Sequence, residues 1–146
     1  MKWEIYCIGK PSLAYAKAGT EEYLKRLRRY GTVTMHHLKE QGREKNSAAL
    51  LEKSAGAYRI AMDERGDMHK TSQLAKKVEG WQMDGVKRIA ILIGGADGHS
   101  EELRQACDEF WAIGKMTLMH ELATVVLLEQ IYRVHTLMRG EPYHRE

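Results

Sequence analysis

The chain has 146 residues, the size of one ordinary domain. Of these, 43% are hydrophobic and 29% are charged, which excludes a disordered chain. No apolar run of the sequence approaches the length of about 18 residues that a membrane span needs. The net charge of +3 is mild, so charge alone permits RNA binding without requiring it. We expect no signal peptide. Cys7 and Cys107 have the spacing of neither a metal cluster nor a disulfide framework, so we expect a cytoplasmic location.

The N-terminal part of the chain alternates predicted strands with predicted helices. Residues 3–8 and 33–38 are apolar enough to predict two strands. Between them, apolar residues recur at helical spacing up to residue 29, and Ser12 is expected to cap this helix. The polar residues 39–47 predict a mobile loop, which is followed by a short helix over residues 48–55.

A third strand is predicted over residues 58–62, and the polar residues 63–66 are expected to end it. Thr71 or Ser72 is expected to cap the next helix. Residues 89–93 form the most apolar run in the chain. A continuous apolar strand of this kind indicates burial on both faces of a sheet.

The C-terminal part is predicted to contain two helices separated by a short segment. The helices cover residues 101–110 and 122–139, and Gly140 ends the second. Residues 113–119 predict either a short strand or an ordered loop. Strands that alternate with helices indicate a parallel α/β sheet. Because no internal repeat or linker interrupts the pattern, we expect residues 1–146 to form one domain.

A glycine-rich loop over residues 94–98 joins the most apolar strand to the following helix. Glycine allows a close approach of the backbone to a ligand, and ligands of open α/β sheets bind at the carboxyl ends of strands. The loop has neither the dinucleotide pattern nor the P-loop lysine, and Glu101 and Glu102 would repel a phosphate. It therefore favours a neutral or zwitterionic ligand that carries its own positive charge, and the alternative is a plain strand-to-helix turn.

Histidines and carboxylates give only weak indications of a metal site. His36 and His37 are adjacent, so their rings lie on opposite faces of the predicted strand. The sequence lacks the paired histidine and cysteine motifs of zinc proteins, and we expect no metal. Asp63, Glu64 and Asp97 follow strand ends. There they would either hold Mg²⁺ or, as is more common, be solvated loop carboxylates.

Charged residues of the predicted helices allow a structural and a functional interpretation. Basic residues cluster at Lys25, Arg26, Arg28 and Arg29, at Lys39, Arg43 and Lys45, and at Lys76 and Lys77. Such clusters suit an RNA backbone, but they also keep ordinary helices soluble. Glu129 and Arg133 are four positions apart on the last helix, where they either form a stabilising ion pair or orient a substrate.

The C-terminal tail combines four different side chains in four positions. Pro142 is rigid, Tyr143 and His144 can stack on a base, and Arg145 can pair with phosphate. Histidine is also the residue type whose ordinary pKa lies closest to neutral. The alternative is a frayed, solvated end, which is the common state of chain termini. Taken alone, these residues favour the frayed end.

Taken together, the motifs resemble those of the bacterial ribosomal large-subunit methyltransferase H family. The resemblance rests on residues 62–66 (MDERG), 93–98 (IGGADG), 115–120 (KMTLMH), 128–133 (LEQIYR) and 142–145 (PYHR), with further matches at residues 1–2, 9–10 and 22–27. Each motif is weak alone, but their joint occurrence is specific. The resemblance covers essentially the whole chain.

The resemblance implies both a fold and a reaction. The fold is of the SPOUT type: a parallel sheet flanked by helices, with a C-terminal trefoil knot and a homodimeric assembly. The reaction is methyl transfer from S-adenosylmethionine to N3 of a pseudouridine in helix 69 of the large-subunit ribosomal RNA. The expected partner is that RNA within the assembled ribosome, without a membrane or a metal.

The resemblance also implies which residues form the site. The cofactor-binding residues that it indicates are Met62, Gly94, Ile113, Gly114, Lys115, Met116, Thr117 and Leu118. His144 and Arg145 would then assist loss of the N3 proton or stabilise the developing negative charge, and Tyr143 would position the base. In a dimer, the tail of one protomer would complete the cofactor pocket of the other.

Three positions depart from the family pattern. Thr124 stands where an arginine is usual, Met119 where a proline is common, and Gly114 where a serine is common. Thr124 cannot reproduce the bidentate contact of an arginine. This departure motivates one alternative, an RNA- or ribosome-binding SPOUT module with an altered target or reduced catalysis. A second alternative, which does not depend on Thr124, keeps the fold and the cofactor but acts on another RNA such as tRNA. A nucleotide-binding oxidoreductase is disfavoured because its glycine fingerprint is missing.

Overall fold

Five strands alternate with helices along residues 1–145, the part of the chain that the computed structural model describes. The strands are β1 (Lys2–Ile8), β2 (Val33–Leu38), β3 (Tyr58–Asp67), β4 (Arg88–Ile93) and β5 (Glu109–Trp111). The helices are α1 (Ala14–Leu27), α2 (Arg43–Lys53), α3 (Thr71–Met83), α4 (Glu101–Ala106) and α5 (His120–Met138), and a 3-10 turn (Arg28–Tyr30) follows α1. None of the helices within this part has the length and hydrophobicity that crossing a lipid bilayer requires.

All five strands are parallel and form one sheet in the order β2-β1-β4-β3-β5. The parallel α/β sheet predicted from the sequence is therefore confirmed. The carboxyl ends of the strands share one edge, and the strand order changes direction around β1 and β4. Ligands of open parallel sheets bind at such a point. The trefoil knot implied by the resemblance stays a prediction.

Helices cover both faces of the sheet, so the central strands are buried on both sides. On one face, α1, α3 and α5 pack over the fully buried side chains of Ile89 and Ile91. On the other face, Leu50 of α2 and Leu103 of α4 pack in the same cluster as Leu92. This two-sided burial explains why β4 is continuously apolar.

Two helix N-termini are capped differently from the sequence prediction. The Glu121 carboxylate, at the start of α5, accepts hydrogen bonds from the backbone N–H groups of Ser12 and Leu13 at the start of α1. A carboxylate from another helix thus satisfies these N–H groups, and Ser12 is not the cap. Helix α3 has its N-cap at Lys70, one residue before the predicted positions, and the Lys70 N–H donates to the Gln73 side chain (2.7 Å).

The mobile loop predicted over residues 39–47 is wrong, because α2 already begins at Arg43. The Asn46 side chain accepts a hydrogen bond from the backbone N–H of Gln41 (2.8 Å) and donates one to Glu40 (2.8 Å). These polar side chains bond to one another and to the backbone at the start of a helix. Their polarity in the sequence therefore does not indicate solvation.

Strand β3 continues to Asp67, although the sequence predicts that residues 63–66 end it. Met62 and Asp67 both pair with Trp111 of β5, so residues 63–66 bulge out between them. A side chain on Gly66 would lie 2.6 Å from a backbone carbonyl carbon of β5. Glycine is therefore the residue that lets the two strands meet beyond the bulge.

Helix α4 ends at Ala106, although the sequence predicts a helix through residue 110. Cys107 has an extended backbone (φ −91°, ψ 146°), and β5 follows. Phe110 and Trp111 pack into the cores on opposite faces of the sheet, which is the period of two expected of a strand. Residues 113–119 form a loop without strand pairing, one of the two predicted alternatives.

Candidate functional site

A cleft of about 980 Å³ opens at the carboxyl edge of the sheet. Its walls come from the ends of β3 and β4, from the loop after β5 and from the start of α5. Most of its lining belongs to residues 62–65, 93–99, 111–114 and 116–120. The cleft therefore lies where the change in strand order predicts a ligand site, and it includes the whole glycine loop.

The glycine loop is packed too closely to accept side chains. Gly98 has a φ of +73°, and its N–H donates to the Gly95 carbonyl (3.1 Å), which closes a tight turn. A side chain on Gly94 would lie 3.0 Å from the His99 ring, and one on Gly95 would lie 2.4 Å from the Glu40 carboxylate. Backbone groups rather than side chains therefore form this wall of the cleft.

His99 joins the ends of β3 and β4 beside the cleft. His99 is 7% exposed, and its Nε2–H donates to the Met62 carbonyl (3.1 Å). This bond leaves Nδ1 as an acceptor, which is buried beside Gly94 and has no hydrogen-bond partner within residues 1–145. Burial lowers the pKa of His99, although the Met62 bond and the Asp63 charge act in the opposite direction. The ring is therefore neutral at physiological pH.

Two of the three carboxylates considered for Mg²⁺ are held by other side chains. Burial alone would raise the pKa of Asp63, but hydrogen bonds within the bulge and from Arg104 outweigh this effect and lower the pKa. Glu64 accepts a hydrogen bond from the Thr117 hydroxyl, which ties the bulge to the loop after β5. Asp97 is exposed on the glycine loop. Within the described residues, no three or more side chains come together in a group that could hold a metal ion.

The loop after β5 carries most of the residues that the resemblance assigns to cofactor binding. Seven of the eight assigned residues line the cleft: Met62, Gly94, Ile113, Gly114, Met116, Thr117 and Leu118. Lys115 is not among the lining residues. Met116 is 83% exposed and Ile113 41%, and exposed apolar side chains of this kind mark a place where a ligand or a protein binds. Which of the seven contact a cofactor stays a prediction.

Thr124, which departs from the family pattern, lies outside the cleft. It is 4% exposed, its hydroxyl donates to the His120 carbonyl (2.8 Å), and its oxygen lies 3.4 Å from the Cys7 sulfur. The side chain packs α5 against β1, so in this structure Thr124 contacts the core and does not line the cleft. The binding-module alternative therefore loses the observation that motivated it.

The C-terminal tail packs onto α5, which corrects the expectation of a frayed end. The Arg133 guanidinium lies 4.7 Å from the centre of the Tyr143 ring, and the Tyr143 hydroxyl donates to Glu129 (3.1 Å). Arg133 also forms the predicted ion pair with Glu129 and lies 3.4 Å from Nδ1 of His144. Burial, a neighbouring tyrosine and the Glu129 charge raise the pKa of Tyr143. Arg145 is exposed.

Within one protomer, the tail and the cleft lie at different levels of α5. The tail contacts α5 at Glu129 and Arg133, whereas the cleft reaches α5 only at His120 and Ala123. At a rise of 1.5 Å per residue, Ala123 and Arg133 are about 15 Å apart along the helix axis. Residues 143–145 are not among those that line the cleft. Within one protomer, the tail therefore takes no part in the cleft.

Several residues of the cleft escaped the sequence analysis. Trp111 lines the cleft from β5, and the sequence signal for it is the aromatic pair that follows the polar end of α4. Arg43 lines the cleft because α2 begins there, in the segment predicted as a loop. His99 was one histidine among seven, and no local pattern distinguishes it.

Comparisons with known proteins match nearly the full length of the chain. Residues 1–144 match a family model described as "Predicted SPOUT methyltransferase". Two proteins named ribosomal RNA large subunit methyltransferase H are similar to this chain. The one from Thermus thermophilus is 41% identical and the one from Deinococcus radiodurans 37% identical. Each alignment spans 145 residues and covers 99% of this chain and 99% of the relative.

Solved structures of low sequence identity share the fold. A probable methylase family protein from Haemophilus influenzae Rd KW20 has a TM-score of 0.59 at 13% identity, and the match covers 99% of this chain and 70% of that one. A putative methylase family protein from Neisseria gonorrhoeae has a TM-score of 0.57 at 14% identity, with 99% and 85% covered. These similarities concern the fold alone.

Proposed function

The chain belongs to the SPOUT methyltransferase family, and it is similar over its length to relatives named ribosomal RNA large subunit methyltransferase H. On this premise we propose that it transfers a methyl group from S-adenosylmethionine to large-subunit ribosomal RNA. The proposed acceptor is N3 of a pseudouridine in helix 69, on the assembled ribosome in the cytoplasm. The observation that carries the proposal is the cleft, because it gathers seven of the eight residues expected to hold the cofactor.

The residues around the cleft fit S-adenosylmethionine. When bound, this cofactor supplies a methyl group on a positively charged sulfur. Gly94 and Gly95 have no side chains, so a ligand in the cleft can contact their backbone directly. Ile113 offers apolar contact. The lining contains six carboxylate residues and three arginines, and this excess of negative charge favours a ligand that carries positive charge. This is the class of ligand that the glycine loop predicts.

The tail supplies groups that suit the methyl acceptor. The N3 proton of a uracil-type base must leave as N3 attacks the methyl group, and negative charge develops on the flanking carbonyls. Nδ1 of His144 faces the Arg133 guanidinium, which only donates (3.4 Å), so the ring proton is favoured on Nε2. Nε2 is buried in the isolated protomer, so His144 donates to a carbonyl of the base only after RNA binding has moved the tail, and the N3 proton leaves to solvent. Arg145 stabilises the same charge, and Tyr143 positions the base.

The proposed working unit is a homodimer in which each tail completes the cleft of the partner. The separation of tail and cleft along α5 supports this arrangement. Exposed apolar side chains also support it: Leu13 is 37% exposed, Tyr15 52% and Met119 47%. Two of them, Tyr15 and Met119, are neighbours near the loop after β5, because the Tyr15 hydroxyl lies 3.3 Å from the Met119 sulfur. A second protomer would cover these side chains.

Mixing two inactive variants tests the shared site. Gly94→Val crowds the cleft wall, and His144→Ala combined with Arg145→Ala removes the tail groups. If each tail acts in the partner's cleft, mixed dimers contain one intact site and regain methyl transfer. If each protomer uses its own tail, every mixture stays inactive, which contradicts the proposed dimer.

Transfer of a tritiated methyl group to purified RNA tests the proposed function. The acceptors are ribosomes, free large subunits and bulk tRNA from cells that lack the gene. We expect labelling of large-subunit RNA, its loss in Gly94→Val and its retention in Gly80→Ala, because a Cβ at Gly80 meets open space. Labelling of tRNA alone would contradict the proposed target. Cofactor binding in calorimetry without labelling of any RNA would indicate a binding module instead of an enzyme.

A further inference from the structure

A basic surface lies where the C-terminal end of α1, the 3-10 turn and the C-terminal end of α5 meet. We call it the arginine–tyrosine surface and define it by Lys25, Arg26, Arg28, Arg29, Tyr30 and Arg139. All of its cations are exposed, and residues 25–29 contain four cations and no carboxylate. It belongs to neither the cleft nor the tail.

Tyrosine rings hold three of these cations in place. The guanidinium groups of Arg29 and Arg139 lie 5.2 and 4.9 Å from the centre of the Tyr30 ring. Arg26 lies 5.5 Å from the centre of the Tyr132 ring. A guanidinium held over an aromatic ring loses little further freedom on binding, and its planar edge matches the oxygens of a phosphate.

Carboxylates neutralise this surface only in part. Arg26 pairs with Glu22 (3.4 Å), and Arg29 pairs with Glu141 (3.5 Å). The remaining cations form no ion pair with any residue from 1 to 145: Lys25, Arg28 and Arg139. Excess positive charge on this scale is complementary to a polyanion.

The surface is continuous with the tail. The Tyr143 ring packs edge-on against the Tyr132 ring, with 4.7 Å between their centres. The Arg26 guanidinium lies 5.5 Å from the centres of both the Tyr132 and the Tyr23 ring. A nucleotide positioned by the tail would therefore have its neighbours along the strand next to the arginine–tyrosine surface.

We propose that the arginine–tyrosine surface binds the phosphodiester backbone of the RNA next to the methylated nucleotide. The location of that nucleotide rests on the proposed function. Contacts to the backbone position a substrate without reading its sequence, so they govern RNA affinity rather than the chemical step. The surface thereby lets a small enzyme hold its RNA through a region that takes no part in methyl transfer.

A pair of charge-reversal variants with a matched control tests this inference. The test variant is Lys25→Glu with Arg28→Glu, and the control is Lys53→Glu with Lys76→Glu on α2 and α3. Both replace two exposed cations and change the net charge equally. Binding is measured over a series of salt concentrations with two probes, purified large ribosomal subunits and protein-free large-subunit RNA. Methyl transfer gives KM and kcat, and sedimentation gives the oligomeric state.

We expect the test variant to bind both probes at least about tenfold more weakly than the control and to raise KM, with kcat unchanged. Loss of two phosphate contacts should reduce the slope of log affinity against log salt by about 1.5. Equal affinities and slopes for the two variants would overturn the inference. So would a change in oligomeric state, which would make the surface a protomer interface, or weaker binding to subunits but not to protein-free RNA. If the test variant binds both probes more weakly than the control but the parent protein transfers no methyl group, the proposed function fails while the RNA-binding role of the surface stands.

Discussion

Replacement of Gly66 by alanine tests the bulge that joins β3 to β5 and shapes one wall of the cleft. The new Cβ would lie 2.6 Å from the carbonyl carbon of Phe110 and 2.7 Å from the nitrogen of Trp111. These are backbone atoms of a paired strand, so the clash is relieved only by separating the strands. Overpacking of this kind costs about 1–3 kcal/mol. Separation also weakens the hydrogen bond from the Ala112 N–H to the Asp67 carbonyl (2.9 Å), worth about 1 kcal/mol.

We therefore expect Gly66→Ala to lower the free energy of unfolding by about 2–4 kcal/mol. Urea unfolding at a fixed protein concentration measures this change, with Gly80→Ala as the matched control. Gly80 lies within α3, where a Cβ meets open space, so its replacement should raise stability by about 0.5–1 kcal/mol. A Gly66→Ala protein as stable as the parent would refute the argument that the bulge requires glycine.

Three further substitutions probe the site. Burial lowers the pKa of His99, so its contribution to stability is present above the unfolded pKa of about 6.5 and is lost as the pH falls below that value. Unfolding of His99→Gln should depend less on pH between 7.5 and 5.5 than unfolding of the parent, and equal dependence would argue against a buried neutral ring. Thr124→Arg forces a guanidinium against Cys7 and should cost about 3 kcal/mol of stability without faster methyl transfer; a stable and faster variant would place this residue in the site. Tyr143→Phe removes the hydrogen bond to Glu129 and should lower kcat about tenfold, equal to ~1.4 kcal/mol, with cofactor affinity unchanged in calorimetry; a change in cofactor affinity alone would contradict its role in positioning the base.

The central strands can be predicted because a strand that is buried on both faces consists of consecutive apolar residues. Residues 89–93 are continuously apolar since helices cover both faces of β4. Strand β5 has only three residues, too few to show a period of two, so Phe110 and Trp111 resemble the end of a helix. Pairing with β3 creates this strand, and no local pattern encodes that pairing.

Some features of the site can be predicted from the local sequence, whereas others depend on contacts between separate parts of the chain. The glycine loop is visible in the sequence because close backbone approach demands glycine, whereas residues 113–118 depend on the family resemblance. The contact of Tyr143 with Glu129 and the cap that Glu121 provides to α1 join residues far apart in the chain. Thr124 departs from the family pattern, and this departure suggested an altered contact near the pocket. The structure instead buries Thr124 in the core.

Mass spectrometry of large-subunit ribosomal RNA from cells lacking the gene tests the central claim most directly. The RNA is compared before and after the cells receive the parent protein or Gly94→Val. We predict that one methyl group is missing from a single pseudouridine of helix 69, that the parent restores it and that Gly94→Val does not. An identical methylation pattern with and without the gene would contradict the account.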